Sequence, residues 1–155
     1  MSAINVTVSD TGWSSLTDAD AVCAESFTAA RETMDAADRG HVSVLFGSDA
    51  EIADLNARLR GKEGPTNVLS FPAHESAQGW AGDIALAYGV TRAEAEAAGL
   101  ALADHVRHLL VHGFLHLHGY DHRNDDEAEV MEAIERRALQ MLGIADPYAA
   151  RDGVA

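Results

Sequence analysis

His112, His116, Gly119 and His122 follow one another at steps of four, three and three residues, and this spacing restricts the fold more tightly than any other feature of the sequence. At 3.6 residues per turn, His112 and His116 differ by about 40° around a helix, so both imidazoles leave one face. Gly119 can take the left-handed conformation that ends such a helix and turns the chain back. His122 then folds toward the first two. Whatever the rest of the chain builds must bring one helix, one sharp turn and one returning segment to a common point. Three neutral imidazoles with a fourth position open form the donor set of a catalytic zinc site, not of a closed structural one. A lone histidine pair at this spacing is more often packing than ligation, but three histidines with the glycine point to a metal. Zinc is the expected ion, one per chain, with another divalent metal as the alternative.

The same spacing matches the zinc-protease pattern H-E-x-x-H-x-x-G-x-x-H at each histidine and at the glycine. Gly113 breaks it. Those proteases use a glutamate there to take a proton from the attacking water and pass it to the leaving amine. A glycine does neither, so the metal cradle is kept and the peptidase base is dropped.

The neighbouring side chains are read one by one. His118 lies about 200° around the helix from His116 and is not expected to reach the same metal. His105 and His108 continue the ligand face toward the helix start. Each is open to supporting a ligand, meeting a substrate phosphate, or simply being partly buried and hydrogen-bonded, and His108 is the candidate for support. Asp121 either orients a ligand imidazole, as carboxylates behind metal ligands do, or stabilises the turn. His41 and His74 are isolated and receive no role.

Elsewhere the periodicity predicts short strands alternating with helices. Strands are expected at residues 4–8, 42–46, 68–71 and 84–88, with a mobile polar loop at 73–81. Helices are expected over 17–37, from a capping box at Ser48 and Glu51 to Gly61, and from a second capping box at Thr91 and Glu94. That last helix breaks at Gly99 and resumes through Leu117. A final helix runs over 125–142 with Met131, Ile134, Ala138 and Met141 facing inward and Gly143 beyond its end. The fold class is α+β, a small mixed sheet of about four strands flanked by helices.

Composition acts mainly by exclusion. The 155 residues predict one domain spanning 1–155, long enough to bury roughly 70% of its unfolded surface without a disulfide. Eleven Lys and Arg against 25 Asp and Glu give a net charge of −14. That excludes a broad basic nucleic-acid surface and an anionic-membrane binder. Cys23 has no partner for a disulfide and is expected as a buried thiol in a reducing compartment. No apolar run approaches the ~20 residues of a membrane span, and residues 1–5 show no signal character, so a cytoplasmic location is expected. The acidity is unevenly spread. Residues 10–54 carry ten acids against Arg31 and Arg39, and residues 121–155 carry nine against four arginines. Arg58, Arg60 and Lys62 instead place three cations within five residues, leaving room for a local cationic cleft.

Four blocks together resemble the YbeY family of bacterial rRNA-maturation endoribonucleases. They are the histidine block His112-Gly113-x-Leu115-His116-Leu117-x-Gly119-Tyr120-Asp121-His122; Leu55-Asn56 with Arg60-Gly61-Lys62 and Pro65-Thr66-Asn67-Val68-Leu69-Ser70-Phe71-Pro72; Gly82-Asp83-Ile84; and the acidic run from Asp125 to Met131. They keep the family's order over residues 40–148. The resemblance implies a zincin-like fold and a zinc site made by His112, His116 and His122. It also implies a functional arginine at Arg60, and a single-stranded RNA substrate in 16S rRNA 3′-end maturation and ribosome quality control. Ribosomal small subunits or associated factors would be partners, and neither DNA nor membrane is expected.

The residues suit that chemistry. A metal acidifies its water and polarises a phosphoryl oxygen without a neighbouring glutamate. A guanidinium matches two oxygens of the in-line transition state, which is the role expected of Arg60. Ser70 is a candidate to bind phosphate or ribose. The competing readings are a metal-dependent peptidase or small-molecule hydrolase, disfavoured by Gly113, and a non-catalytic ribosome-associated factor that uses the site structurally.

Overall fold

The computed structural model describes residues 3–74 and 76–148. Met1 and Ser2 of the stretch inspected for a signal, Glu75 of the expected loop and Arg151 of the acidic C-terminal region lie outside the described residues. Four strands, β1 (Ile4–Val8), β2 (His41–Gly47), β3 (Val68–Pro72) and β4 (Trp80–Ala87), form one mixed sheet in the order β1-β2-β4-β3. β1, β2 and β4 run parallel, and β3 returns antiparallel along β4. The helices are α1 (Ala19–Thr33), α2 (Asp49–Arg60), α3 (Tyr88–Ala98), α4 (Leu102–Leu117) and α5 (Asp125–Met141), with a short 3-10 turn at Thr11–Ser15.

Alternation along the strands divides the sheet into two faces. Val42, Val44, Phe46, Ile84 and Leu86 turn toward α1, α4 and α5, and build the main core with Phe27, Leu110, Phe114 and Leu139. Leu45, Leu69, Phe71, Ala85 and Ala87 turn the other way, onto Ile52 and Leu55 of α2. Phe27 and Phe114 stack with centroids 5.0 Å apart, which joins α1 to the helix that carries the first two histidines. Burying each ring contributes roughly 1.5–3 kcal/mol. Cys23 is fully buried. Burial, with the charge of Asp20 beside it, pushes its thiol up to about 12, far from a nucleophile's range.

The structure moves several expected boundaries. α1 starts at Ala19 behind Asp18, whose carboxylate accepts from the Ala21 N–H, and it ends at Thr33, short of the expected 37. The fourth strand begins at Trp80 instead of 84, because β2 on one side and β3 on the other extend its pairing back to Gly82 and Trp80. Gly82 permits this: a side chain there would meet the Phe71 carbonyl of β3.

The Ser48 capping box is present, with the Glu51 N–H donating to Ser48 Oγ and the Ser48 N–H to Glu51 Oε1. The box expected at Thr91 is absent. β4 passes directly into α3 at Tyr88, and the α2 residue Asp49 accepts the Val90 N–H at 3.1 Å. The cap therefore comes from another element, and Thr91 sits buried inside the helix. Met141, expected inward, is 53% exposed, while Leu139 is fully buried and Leu142 packs against the core. A step from 138 to 142 stays on the inner face, and a step to 141 rotates about 60° off it.

Candidate metal and active site

α4 lies close against the sheet at Gly113. A Cβ there would stand 3.0 Å from Ser70 Oγ and 3.1 Å from Ile84 Cδ1, two residues that face each other across β3 and β4. This approach lays the His112 and His116 side of α4 along the edge strand β3. The helix ends at Leu117, and Gly119 takes φ +95°, the left-handed turn that the spacing required. The turn is pinned from outside. Tyr120 Oη accepts the N–H groups of Asp35 and Ala36, and Arg39 donates to the Leu117 carbonyl.

His112, His116 and His122 each offer a ring nitrogen within 4.8 Å of the others. Their ring centroids are 4.5 Å apart for 112–116, 5.1 Å for 116–122 and 5.7 Å for 112–122. His112 Nε2 and His116 Nε2 stand 3.0 Å apart. On the far side of each ring, Nδ1 meets an obligate acceptor, the Tyr120 carbonyl at 2.9 Å for His116 and Glu135 Oε2 at 3.4 Å for His112. In neutral imidazoles the hydrogens therefore sit on Nδ1, and two Nε2 lone pairs face each other. Such a pair repels unless a cation lies between. Nitrogens sharing one tetrahedral zinc, at bonds of ~2.0–2.1 Å, stand ~3.3 Å apart. The donor set thus fits a zinc-type ion. Burial above all, then the neighbouring His112 and His122, push the His116 imidazole down to about 4, so it is neutral and available as a ligand near pH 7.

The triad opens into a cleft of about 910 Å³. Arg60 and Lys62 bring positive charge to its lining, Arg123 lines it with its guanidinium paired to Glu127 and Asp121, Ser70 lines it beside Gly113, and Asn67, Glu94, His105, His108 and Tyr148 complete it. Arg60 is the last residue of α2, followed by Gly61 at the helix C-cap, and so it stands on the helix and not in the loop after it. Asp121 lines the cleft too. Its Oδ1 accepts the backbone N–H of His122 at 2.8 Å, which shapes the segment carrying the third histidine. That bond, together with the nearby imidazoles and Arg123, holds the Asp121 carboxyl below its ordinary value.

His108 Nε2 donates to Glu135 Oε1 at 2.7 Å, on the carboxylate that also faces His112 Nδ1. His105 Nε2 meets Glu94 Oε1 at 2.9 Å, and Asn67 donates to the same oxygen. His118 points away from the triad, as its angle required. Its Nδ1 donates to the Phe114 carbonyl and its Nε2 accepts the Arg39 N–H. The two residues that sequence reasoning passed over are Glu135 and Tyr148. Glu135 was hidden within an acidic, amphipathic helix, and the only sequence signal was a carboxylate on the inward stripe beside Ile134. Burial alone would raise the Glu135 carboxyl, but bonds from His108 and His112 bring it below its ordinary value.

Comparison with known proteins agrees with this geometry. A family profile for Endoribonuclease YbeY matches residues 7–143. A Maricaulis maris protein named Endoribonuclease YbeY is 55% identical, covering 98% of this chain and 95% of its own. One of the same name from Rhodopseudomonas palustris is 46% identical, covering 90% and 86%. The solution structure of a Thermotoga maritima protein, 22% identical, superposes with a TM-score of 0.57 over 94% of this chain and 98% of that one. The fold is zincin-like, a mixed sheet with the ligand-bearing helix along its edge strand. With a profile spanning most of its length and relatives of this identity, the chain belongs to the YbeY endoribonuclease family.

Proposed function

We propose that this chain is a single-strand-specific, zinc-dependent endoribonuclease acting in the cytoplasm, in 3′-end maturation of 16S rRNA and in ribosome quality control. The observation that carries the reading is the convergence of three imidazole nitrogens within 4.8 Å at the floor of a cleft also lined by Arg60 and Ser70. His112, His116 and His122 hold the ion. When bound, it supplies an activated water and polarises a phosphoryl oxygen. Arg60 places a guanidinium fork on the equatorial oxygens, where negative charge grows as the phosphodiester is displaced. Lys62 holds a flanking phosphate, and Ser70 Oγ donates to a phosphate or ribose oxygen.

The packing of Gly113 supports cleavage of a phosphodiester over a peptide. The Cβ of a glutamate at this position would stand 3.0 Å from Ser70 Oγ and 3.1 Å from Ile84 Cδ1, so both neighbours would have to give before the carboxylate base of the zinc peptidases could be accommodated. One domain suffices for this chemistry. The net charge of −14 leaves naked RNA weakly held, so the small subunit or a ribosome-associated factor lends selectivity. Among the described residues no helix is long and apolar enough to cross a membrane.

The test is cleavage of a 16S rRNA precursor by wild-type and Arg60→Ala protein. Arg60 ends an exposed helix turn, so the variant is expected to fold and take up zinc normally while cleavage falls about 10²–10³-fold. An Arg60→Ala protein that cleaves at the wild-type rate would remove the arginine from the mechanism.

A further inference from the structure

The deepest ionisable group around the cleft is Glu135, 1% exposed and carried by α5, an element that supplies no ligand. Its two oxygens are used differently. Oε1 accepts from His108 Nε2 at 2.7 Å and from the Tyr148 hydroxyl at 2.9 Å, while Oε2 faces His112 Nδ1 at 3.4 Å. A carboxylate is removed from water only where donors replace its hydration, and here the two strong donors fix the plane in which Oε2 meets the His112 ring.

The Tyr148 end is built as well. Asp146 accepts the Tyr148 backbone N–H at 2.8 Å and pairs with Arg136 at 3.2 Å, and the Arg136 guanidinium lies 5.4 Å from the centre of the Tyr148 ring. The segment after α5 is thereby folded back on that helix, with its hydroxyl delivered to the carboxylate. His116 takes its orientation differently, from the Tyr120 carbonyl of its own turn. His112 has no such local acceptor. Among the described residues its partner beyond the ligand group is Glu135, 23 residues away.

We propose that Glu135 is a positioning residue for the metal site. It holds His112 in the Nδ1–H form with Nε2 bare toward the ion, and Tyr148 and His108 fix the carboxylate that does so. Metal affinity is thereby tied to the docking of residues 142–148 on α5. The inference rests on the reading of the triad as a metal site, but it needs no RNA.

The experiment measures zinc affinity by chelator competition, together with long-range 1H–15N spectra of the histidine rings. In the wild-type protein, metal-free and zinc-loaded, His112 is expected to carry its proton on Nδ1. A proton on Nε2 in the metal-free protein would overturn the proposal without any variant. Glu135→Gln is expected to weaken zinc binding about 10–100-fold and to populate the other His112 form. Tyr148→Phe, which removes one donor and little volume, is expected to weaken zinc binding several-fold. Folded Glu135→Gln or Tyr148→Phe protein with wild-type zinc affinity and unchanged His112 signals would sink it. A purely structural role would lower the melting temperature of the metal-free variants and leave the affinity of the folded molecules unchanged. If the wild-type protein itself binds no zinc, the proposed function fails first; loss confined to cleavage, with these affinities as expected, would fault the RNA reading alone.

Discussion

His112 and His116 bring two bare ring nitrogens to 3.0 Å, with both opposite nitrogens committed to acceptors. Only a cation or an added proton relieves that contact, and burial with two neighbouring imidazoles makes the proton costly at His116, whose value falls to about 4. The folded state thus binds this proton less readily than the unfolded chain, where histidine titrates near ~6.5. As pH falls through that value the unfolded state gains the proton first, so stability of the metal-free protein declines from about 6.5 to about 4. The loss is of order 1–3 kcal/mol, discounted for the partial exposure of the ring. The buried carboxyl of Glu135, held below its ordinary value, adds a loss of the same sign at lower pH. Urea unfolding of the chelator-treated protein at pH 7 and pH 4.5 measures this. Equal stability at the two values would mean that the ring is not desolvated as described.

At the scale of elements, the site depends on how closely α4 approaches the β3–β4 pair at Gly113. Gly113→Ala forces the neighbouring Ser70 and Ile84 side chains to give by a few tenths of an ångström; the overpacking, about 1–3 kcal/mol, is offset by about 1 kcal/mol of helix propensity, so a net loss of up to about 2 kcal/mol is expected. Gly113→Glu, which would complete the peptidase motif on paper, is expected to lower the melting temperature further and to create no peptidase. A well-folded Gly113→Glu protein that cuts peptides with zinc-dependent turnover would contradict this packing account. The same scale separates what the sequence made legible from what it hid. His112, His116, Gly119 and His122 could be placed because helical geometry and one turn relate them within eleven residues. The Ser48–Glu51 box could be placed because both partners are local. The α3 cap could not, since Asp49 reaches it from another helix. Glu135 and Tyr148 meet His112 and His108 from 23 to 40 residues away in sequence, and no periodicity encodes that encounter.

For the whole molecule, the −14 charge and the cationic cleft act on different ranges. Acidic residues repel a polyanion at distance, while Arg60 and Lys62 attract it only along the cleft, where Arg123 is paired with Glu127 and Asp121. Two phosphate contacts on a single strand give a slope of about −1.4 for log affinity against log salt, at ~0.7 per contact. Binding of a short single-stranded RNA, titrated from low to physiological salt, is expected to be weak and to follow that slope. A much steeper dependence would reveal a broad basic surface that the sequence excludes. In the proposed function the three histidines hold the ion that makes the cleft a ribonuclease. The direct measurement is cleavage of a 16S rRNA precursor by metal-free protein as zinc is added, beside His116→Ala. Activity is expected to rise to a plateau at one zinc per chain and to be absent at all zinc levels in the folded variant. Full cleavage by the metal-free protein, or by His116→Ala, would contradict it.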